Sequence, residues 1–113
     1  MKQHIDPQEA VDFLIEQSKP YAVAKSNRVM MEEMRKTIKA ECMISAERMG
    51  HKTAVMQERE AYADPAYKNH LEALQEAVHE EERLKWLMVA AQERIAVWRS
   101  QNASNRMIEK MTV

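Results

Sequence analysis

Residues 67–98 read YKNHLEALQEAVHEEERLKWLMVAAQERIAVW. Their apolar positions mostly step by three and four, which places them on one side of an α-helix. These positions are Tyr67, Leu71, Leu74, Val78, Leu84, Met88, Ala91, Ile95 and Trp98. Glu81 fills the one step at which an apolar residue is missing. A sustained seam of this kind is typical of coiled-coil-like pairing with another helix.

Capping residues mark where this helix and its neighbour begin. Asp64-Pro65 suits a helix start, because Asp accepts hydrogen bonds from the first turn and the N–H that Pro lacks has no partner there. The seam therefore predicts a long helix over about 65–100, with a possible extension to 111. Thr53 is a similar cap, and it predicts a junction helix over about 54–63.

The N-terminal half predicts two further helices. Asp6-Pro7 starts a short helix over about 7–18, and Lys19-Pro20 should end it because the residue before proline avoids the α region. Nothing then interrupts a long helix over about 20–49. Gly50, the only glycine, can adopt the left-handed conformation that often follows a helix.

The composition favours helix almost throughout. One Gly, three Pro and 5 % aromatic residues leave a β-sheet without its turn residues and favoured strand formers. A chain of 113 residues suits a single helical domain, residues 1–113. We predict an all-α fold in which a coiled-coil-like, long two-helix hairpin carries short N-terminal and junction helices.

Some apolar residues lie outside the surface that one partner helix can cover. On the helix predicted over 20–49 they are Val29, Met30, Met43 and Ile44. Each long helix exceeds about 40 Å at 1.5 Å per residue, so a hairpin leaves much apolar edge uncovered. This pattern predicts a homo-oligomer.

Charge and cysteine content exclude several classes of protein. The formal net charge of −1 provides no global field that would attract nucleic acid or anionic lipid, so such binding needs a local patch. Cys42 is the only cysteine, which fits a reducing compartment and predicts a cytoplasmic protein. The longest apolar run, residues 86–91, is far shorter than the roughly 20 residues that span a bilayer. We expect no membrane partner.

No pattern of residues predicts an enzyme. Glu76 and His79 form one Glu-x-x-His element, whereas helical di-iron sites need two, so no metal is expected. Cys42 lies on an apolar helix face and is interpreted as a core residue. One glycine cannot build a phosphate-binding loop. We predict no catalytic residue and no cofactor.

Basic residues form the most function-like feature. Those on one stripe of the second helix, interrupted by Glu32, are Lys25, Arg28, Arg35, Lys36 and Lys39. Lys52 and Arg59 add charge at the junction, where Tyr62 and Tyr67 could stack on unpaired bases. The alternative interpretation is that the cations form an ordinary solvated face and the tyrosines are packing residues.

The junction resembles a known family. Residues 54–62, Ala-Val-Met-Gln-Glu-Arg-Glu-Ala-Tyr, are similar to the Ala-rich Lys-x-Arg-x-x-Tyr stretch of UvsY, the phage recombination mediator. Trp98-Arg-Ser100 and the segment from Arg106 to Met111 resemble the end of the long C-terminal helix in that family. The shared order of long helix, basic junction and long helix extends the resemblance over most of the chain.

The resemblance implies a ring that binds single-stranded DNA and helps to load a RecA-type recombinase past a single-strand-binding protein. It implies no catalysis, and a phage-encoded chain would work in the host cytoplasm. Arg59 stands where the family has a DNA-contacting Arg, whereas Gln57 stands where the family has Lys. The alternative hypothesis is a helical adaptor or inhibitor that binds a host protein through a Met-rich face.

Overall fold

The computed structural model describes residues 6–112, and helices account for nearly all of them. Helix α1 is Pro7–Arg48, α2 is Ala54–Ala63 and α3 is Pro65–Met111. Within residues 6–112 there is no β-strand. The predicted all-α fold is confirmed, and α1 and α3 are the two arms of the predicted hairpin.

The chain divides into two compact units, and both long helices contribute to each of them. Unit 1 joins the residues up to Tyr21 with those from Glu82 onward. Unit 2 is Ala22–Glu81, which contains the greater part of α1, the whole of α2 and the first turns of α3. All ten of the predicted site residues belong to unit 2.

The predicted caps begin all three helices. The side-chain oxygens of Asp6, Thr53 and Asp64 accept backbone N–H groups two or three residues ahead, at 2.9, 3.2 and 2.8 Å. Such bonds satisfy donors that have no partner inside the helix. The predicted bounds of α2 and the predicted start of α3 are therefore confirmed.

Gly50 terminates α1 as the sequence predicts. Its φ of 105° lies in the left-handed region, which only glycine adopts at little cost in conformational free energy. The N–H of Gly50 donates to the carbonyl of Glu47, and the N–H of His51 donates to that of Ala46, both at 3.1 Å. This pair of bonds is a Schellman cap. The helix ends at Arg48, one residue before the predicted end.

The predicted break at Lys19-Pro20 is wrong. There is no separate short helix over 7–18, because α1 continues through Pro20 as one helix of 42 residues. Pro20 is exposed, so water can bond the Glu16 carbonyl that lacks its usual N–H donor. One turn earlier, the Ser18 hydroxyl donates to the Ile15 carbonyl at 2.8 Å. Helix α1 is packed on both sides of the proline, because Ala10 is buried in unit 1 and Ala24 is buried in unit 2.

Helix α3 takes the longer of its two predicted forms. It runs for 47 residues to Met111, so the extension beyond residue 100 is confirmed. In unit 1, every described residue after Asn102 is exposed. Met107 and Ile108 keep 65 % and 59 % of their surface exposed, so the last turns of α3 leave large apolar side chains mostly uncovered.

The buried apolar positions hold mainly small side chains. They are Ala10, Ala24, Cys42, Ala46, Ala61, Leu84 and Ala91. Within residues 6–112, no large side chain is fully buried, while many Val, Ile, Leu and Met side chains remain exposed. The excess of apolar surface expected from the sequence is therefore present. Over the same residues, no helix is both long and apolar enough to cross a bilayer.

Replacing Pro20 with alanine tests the continuity of α1. Proline inside a helix is about 3 kcal/mol less favourable than alanine. We expect Pro20→Ala to raise the free energy of unfolding by about 1–3 kcal/mol in urea titrations followed by circular dichroism. The control is Pro65→Ala, which changes a first helical position and should have little effect. No gain from Pro20→Ala would contradict a continuous helix.

Candidate nucleic-acid interface

Arg28 from the predicted basic stripe is bound within the fold. Its Nε and Nη2 donate to the two carboxylate oxygens of Glu81 at 2.6 and 3.1 Å, and its Nη1 donates to Glu32 at 3.0 Å. Glu81 is only 8 % exposed. The bond to Glu81 is the main reason that the pKa of the Arg28 guanidinium is above its ordinary value. Arg28 therefore joins α1 to α3 and is less available to a phosphate than its place on the stripe predicts.

Lys39 is held in a similar way, between α1 and α2. Its Nζ lies 4.7 Å from the centroid of the Tyr62 ring and donates to the Glu58 carboxylate at 3.1 Å. The Tyr62 hydroxyl donates to the same carboxylate at 3.1 Å. Tyr62 and then Glu58 raise the pKa of Lys39, whereas Lys39 and then Tyr62 lower the pKa of Glu58. This cluster fastens α2 onto α1.

The two predicted stacking residues differ in exposure. The rings of Tyr62 and Tyr67 meet edge to face, with centroids 5.4 Å apart and planes at 72°. Tyr67 is half-buried, which fits a packing residue. Tyr62 keeps 46 % of its surface exposed and is the better placed of the two rings to reach a base.

Gln57 stabilises the junction loop. Its side-chain amide donates to the backbone carbonyl of His51 at 2.9 Å, and the residue is half-buried. The bond links the first turns of α2 to the segment that leaves α1. Gln57 is therefore a structural residue in the position where the resembled family has a lysine.

The remaining cations of the predicted site lie open to solvent. They are Lys25, Arg35, Lys36, Lys52 and Arg59. In the described part of the chain, none of the five makes an ion pair. All five belong to unit 2, as do Lys39 and Tyr62. Glu58 and Glu60 flank Arg59 along α2, so the exposed charge at the junction is mixed rather than purely basic.

Cys42 is a core residue, as predicted, beside a small cavity where α1 meets the junction. It is 5 % exposed, and burial, followed by the charge of Asp64, raises the pKa of its thiol. His51 and Glu60 line the same cavity, and their side chains approach to 3.9 Å. A protonated thiol is a poor nucleophile. Among residues 6–112, no three His, Cys, Asp or Glu side chains are arranged to hold a metal ion.

The acidic partners are what the sequence reasoning missed. Glu81 interrupts the apolar seam of α3, and an acid on a buried face signals a basic partner on the facing helix. That signal identifies Glu81 but not Arg28, which is 53 residues away in the chain. Glu58 carries no comparable signal, because the short helix α2 has no long apolar seam for an acid to interrupt.

The fold defines an all-α protein built on a long helical hairpin. Comparisons of the chain with known protein families, with curated proteins and with solved structures give no match. The resemblance to the UvsY family therefore stays a prediction. Any function assigned to this chain has to be argued from the positions, exposure and contacts of its own side chains.

The Arg28–Glu81 pair gives a stability prediction. Removing one partner of a largely buried ion pair leaves an uncompensated charge, whereas replacing both partners with apolar residues can be neutral. We expect Arg28→Ala to lower the melting temperature by several degrees and the control Arg35→Ala to leave it almost unchanged. The double variant Arg28→Met with Glu81→Met should regain most of the loss. Equal effects of Arg28→Ala and Arg35→Ala would show that the pair contributes nothing.

The Lys39–Glu58–Tyr62 cluster gives a pH prediction. Because the pKa of Glu58 is below its ordinary value of 4.5, its contribution to stability is complete above that pH and disappears as pH falls through the folded-state value. The melting temperature of the wild type should therefore fall more steeply on acidification than that of Glu58→Gln. If melting temperature depended on pH in the same way in both proteins, the cluster would not contribute to stability.

Proposed function

We propose that this chain is a non-enzymatic recombination mediator that binds single-stranded DNA as a homo-oligomer and assists loading of a RecA-type recombinase. The supporting observation is the set of five exposed, unpaired cations in unit 2, together with the exposed Tyr62 ring. Clustered Lys and Arg side chains bind phosphate backbones, and aromatic rings stack on unpaired bases. The predicted base-stacking role belongs to Tyr62 in this proposal, with Tyr67 as its packing partner.

The charge of unit 2 is unevenly distributed, which supports a basic face. Its α1 segment, residues 22–48, has six basic and four acidic residues, and two of the six, Arg28 and Lys39, are already paired with Glu81 and Glu58. Its α3 segment, residues 65–81, has one basic and four acidic residues. Nucleic acid would therefore be attracted to the α1 side and repelled from the α3 side.

Assembly is part of the proposal because one patch of this size binds weakly. Repeating the patch in an oligomer, with a ring as one arrangement, raises avidity without a new kind of contact. The other proposed partners are the recombinase itself and a single-strand-binding protein that it must displace. A protein with these partners works where recombination occurs, in the cytoplasm of a bacterium or of a phage host.

Exposed methionines favour a second candidate, the helical adaptor or inhibitor. Met30, Met49 and Met56 keep 62 %, 82 % and 43 % of their surface exposed. Flexible, polarizable methionine side chains adapt to varied partner surfaces. In this candidate a host protein covers the methionines and no DNA is bound.

Titration of a fluorescent single-stranded oligonucleotide tests the first candidate. Arg59→Ala and Lys52→Ala should each weaken binding several-fold at low salt, and each should reduce the slope of log K against log salt by about 0.7. The matched control is Lys68→Ala, an exposed lysine on the acidic α3 segment, which should bind like the wild type.

Two results would overturn the DNA proposal. The first is no binding by the wild type at low salt, which leaves the adaptor candidate. The second is an equal loss in Lys68→Ala and Arg59→Ala, which would show that only net charge matters.

A further inference from the structure

A shallow, open surface in unit 2 follows one outward face of α1. The residues that line it are Ala22, Lys25, Ser26, Val29, Met30 and Glu33. Val29 and Met30 keep 43 % and 62 % of their surface exposed. The residues step by three and four, so they form a stripe on a single helix that a second helix can cover. We call this surface the α1 stripe.

The charges on the α1 stripe are arranged symmetrically. Lys25 and Glu33 each lie four residues from Val29, on opposite sides of it. At 1.5 Å per residue, each is therefore about 6 Å along the helix from Val29. Both are exposed, and in the described part of the chain neither makes an ion pair.

We propose that the α1 stripe binds the α1 stripe of a second copy of this chain, antiparallel, about a two-fold axis beside Val29. In that arrangement Lys25 of each copy faces Glu33 of the other, so one contact contains two opposite-charge pairs. A two-fold contact must be self-complementary, because both copies use the same surface. The parallel arrangement would instead place Lys25 against Lys25 and Glu33 against Glu33.

Size and polarity also suit a second copy. Ala22 and Ser26 are small, which lets another helix approach closely at that end of the stripe. Val29 and Met30 provide apolar contact at the centre, and the charged residues lie toward the ends. An apolar centre with a polar rim is the usual composition of a protein–protein interface. The inference depends on the proposed assembly. Lys25 is paired with Glu33 in this contact, so DNA binding is left to the other four exposed cations.

Charge exchange tests the contact directly. Sedimentation velocity without DNA should show that Lys25→Glu and Glu33→Lys each raise the dissociation constant of self-association at least about tenfold, because each creates two like-charge pairs. The double variant Lys25→Glu with Glu33→Lys should restore association. Lys68→Glu is the matched control, since it reverses an exposed lysine on α3, and it should associate like the wild type.

Three outcomes of this experiment would overturn the proposal: a monomeric wild type, single variants that associate normally, or a double variant as weak as the single ones. Because no DNA is present, loss of oligonucleotide binding in Arg59→Ala leaves this result unaffected. The two proposals can therefore fail separately.

Cross-linking supplies a second readout that charge does not affect. In a Cys42→Ala background, Val29→Cys places a thiol beside the proposed two-fold axis. A short bismaleimide should then give a covalent dimer. Val55→Cys is the control, because Val55 is 77 % exposed but lies on α2. Equal cross-linking at both positions, or none at residue 29, would contradict the antiparallel contact.

Discussion

Two helices that lie side by side can bury only one face of each, and this constraint governs the rest of the structure. The buried positions are filled mainly by alanine, with Cys42 and Leu84 as the larger members. Small side chains allow close helix packing but bury little apolar surface, and buried surface contributes only about 25 cal/mol per Å². The Arg28–Glu81 pair adds a directional contact that selects the register of α1 against α3 in unit 2. Larger apolar side chains remain on the outward faces.

Local sequence signals were sufficient for most of the fold. Thr53, Asp64 and Gly50 act within a few residues, so their caps could be predicted without knowledge of tertiary structure. Pro20 shows the limit of such rules. Lys19 precedes this proline, and the preference of such a residue for an extended backbone predicted a helix end. Packing of α1 on both sides of Pro20 outweighs the local free-energy cost of the proline. A rule that considers only neighbouring residues cannot include that packing.

The candidate site was less predictable for the same reason. Periodicity could assign Lys25, Arg28, Arg35, Lys36 and Lys39 to one stripe of a helix, which is part of α1 in the structure, but exposure depends on which acid each one meets. Arg28 meets Glu81 and Lys39 meets Glu58 only after the helices pair, so the basic stripe loses two of its members to internal contacts. Lys25, Arg35, Lys36, Lys52 and Arg59 keep their charges open to solvent. The proposed interface is therefore smaller than the predicted one.

The proposed self-association would connect these features, because it would cover apolar surface that the hairpin leaves open. A two-fold contact closes a pair, and a larger ring needs a second contact, for which the exposed end of α3 offers apolar side chains. The most direct measurement is the melting temperature as a function of protein concentration. If the folded state is an assembly, the melting temperature must rise with concentration by mass action. A melting temperature that stays constant over a roughly thousandfold dilution would contradict the account.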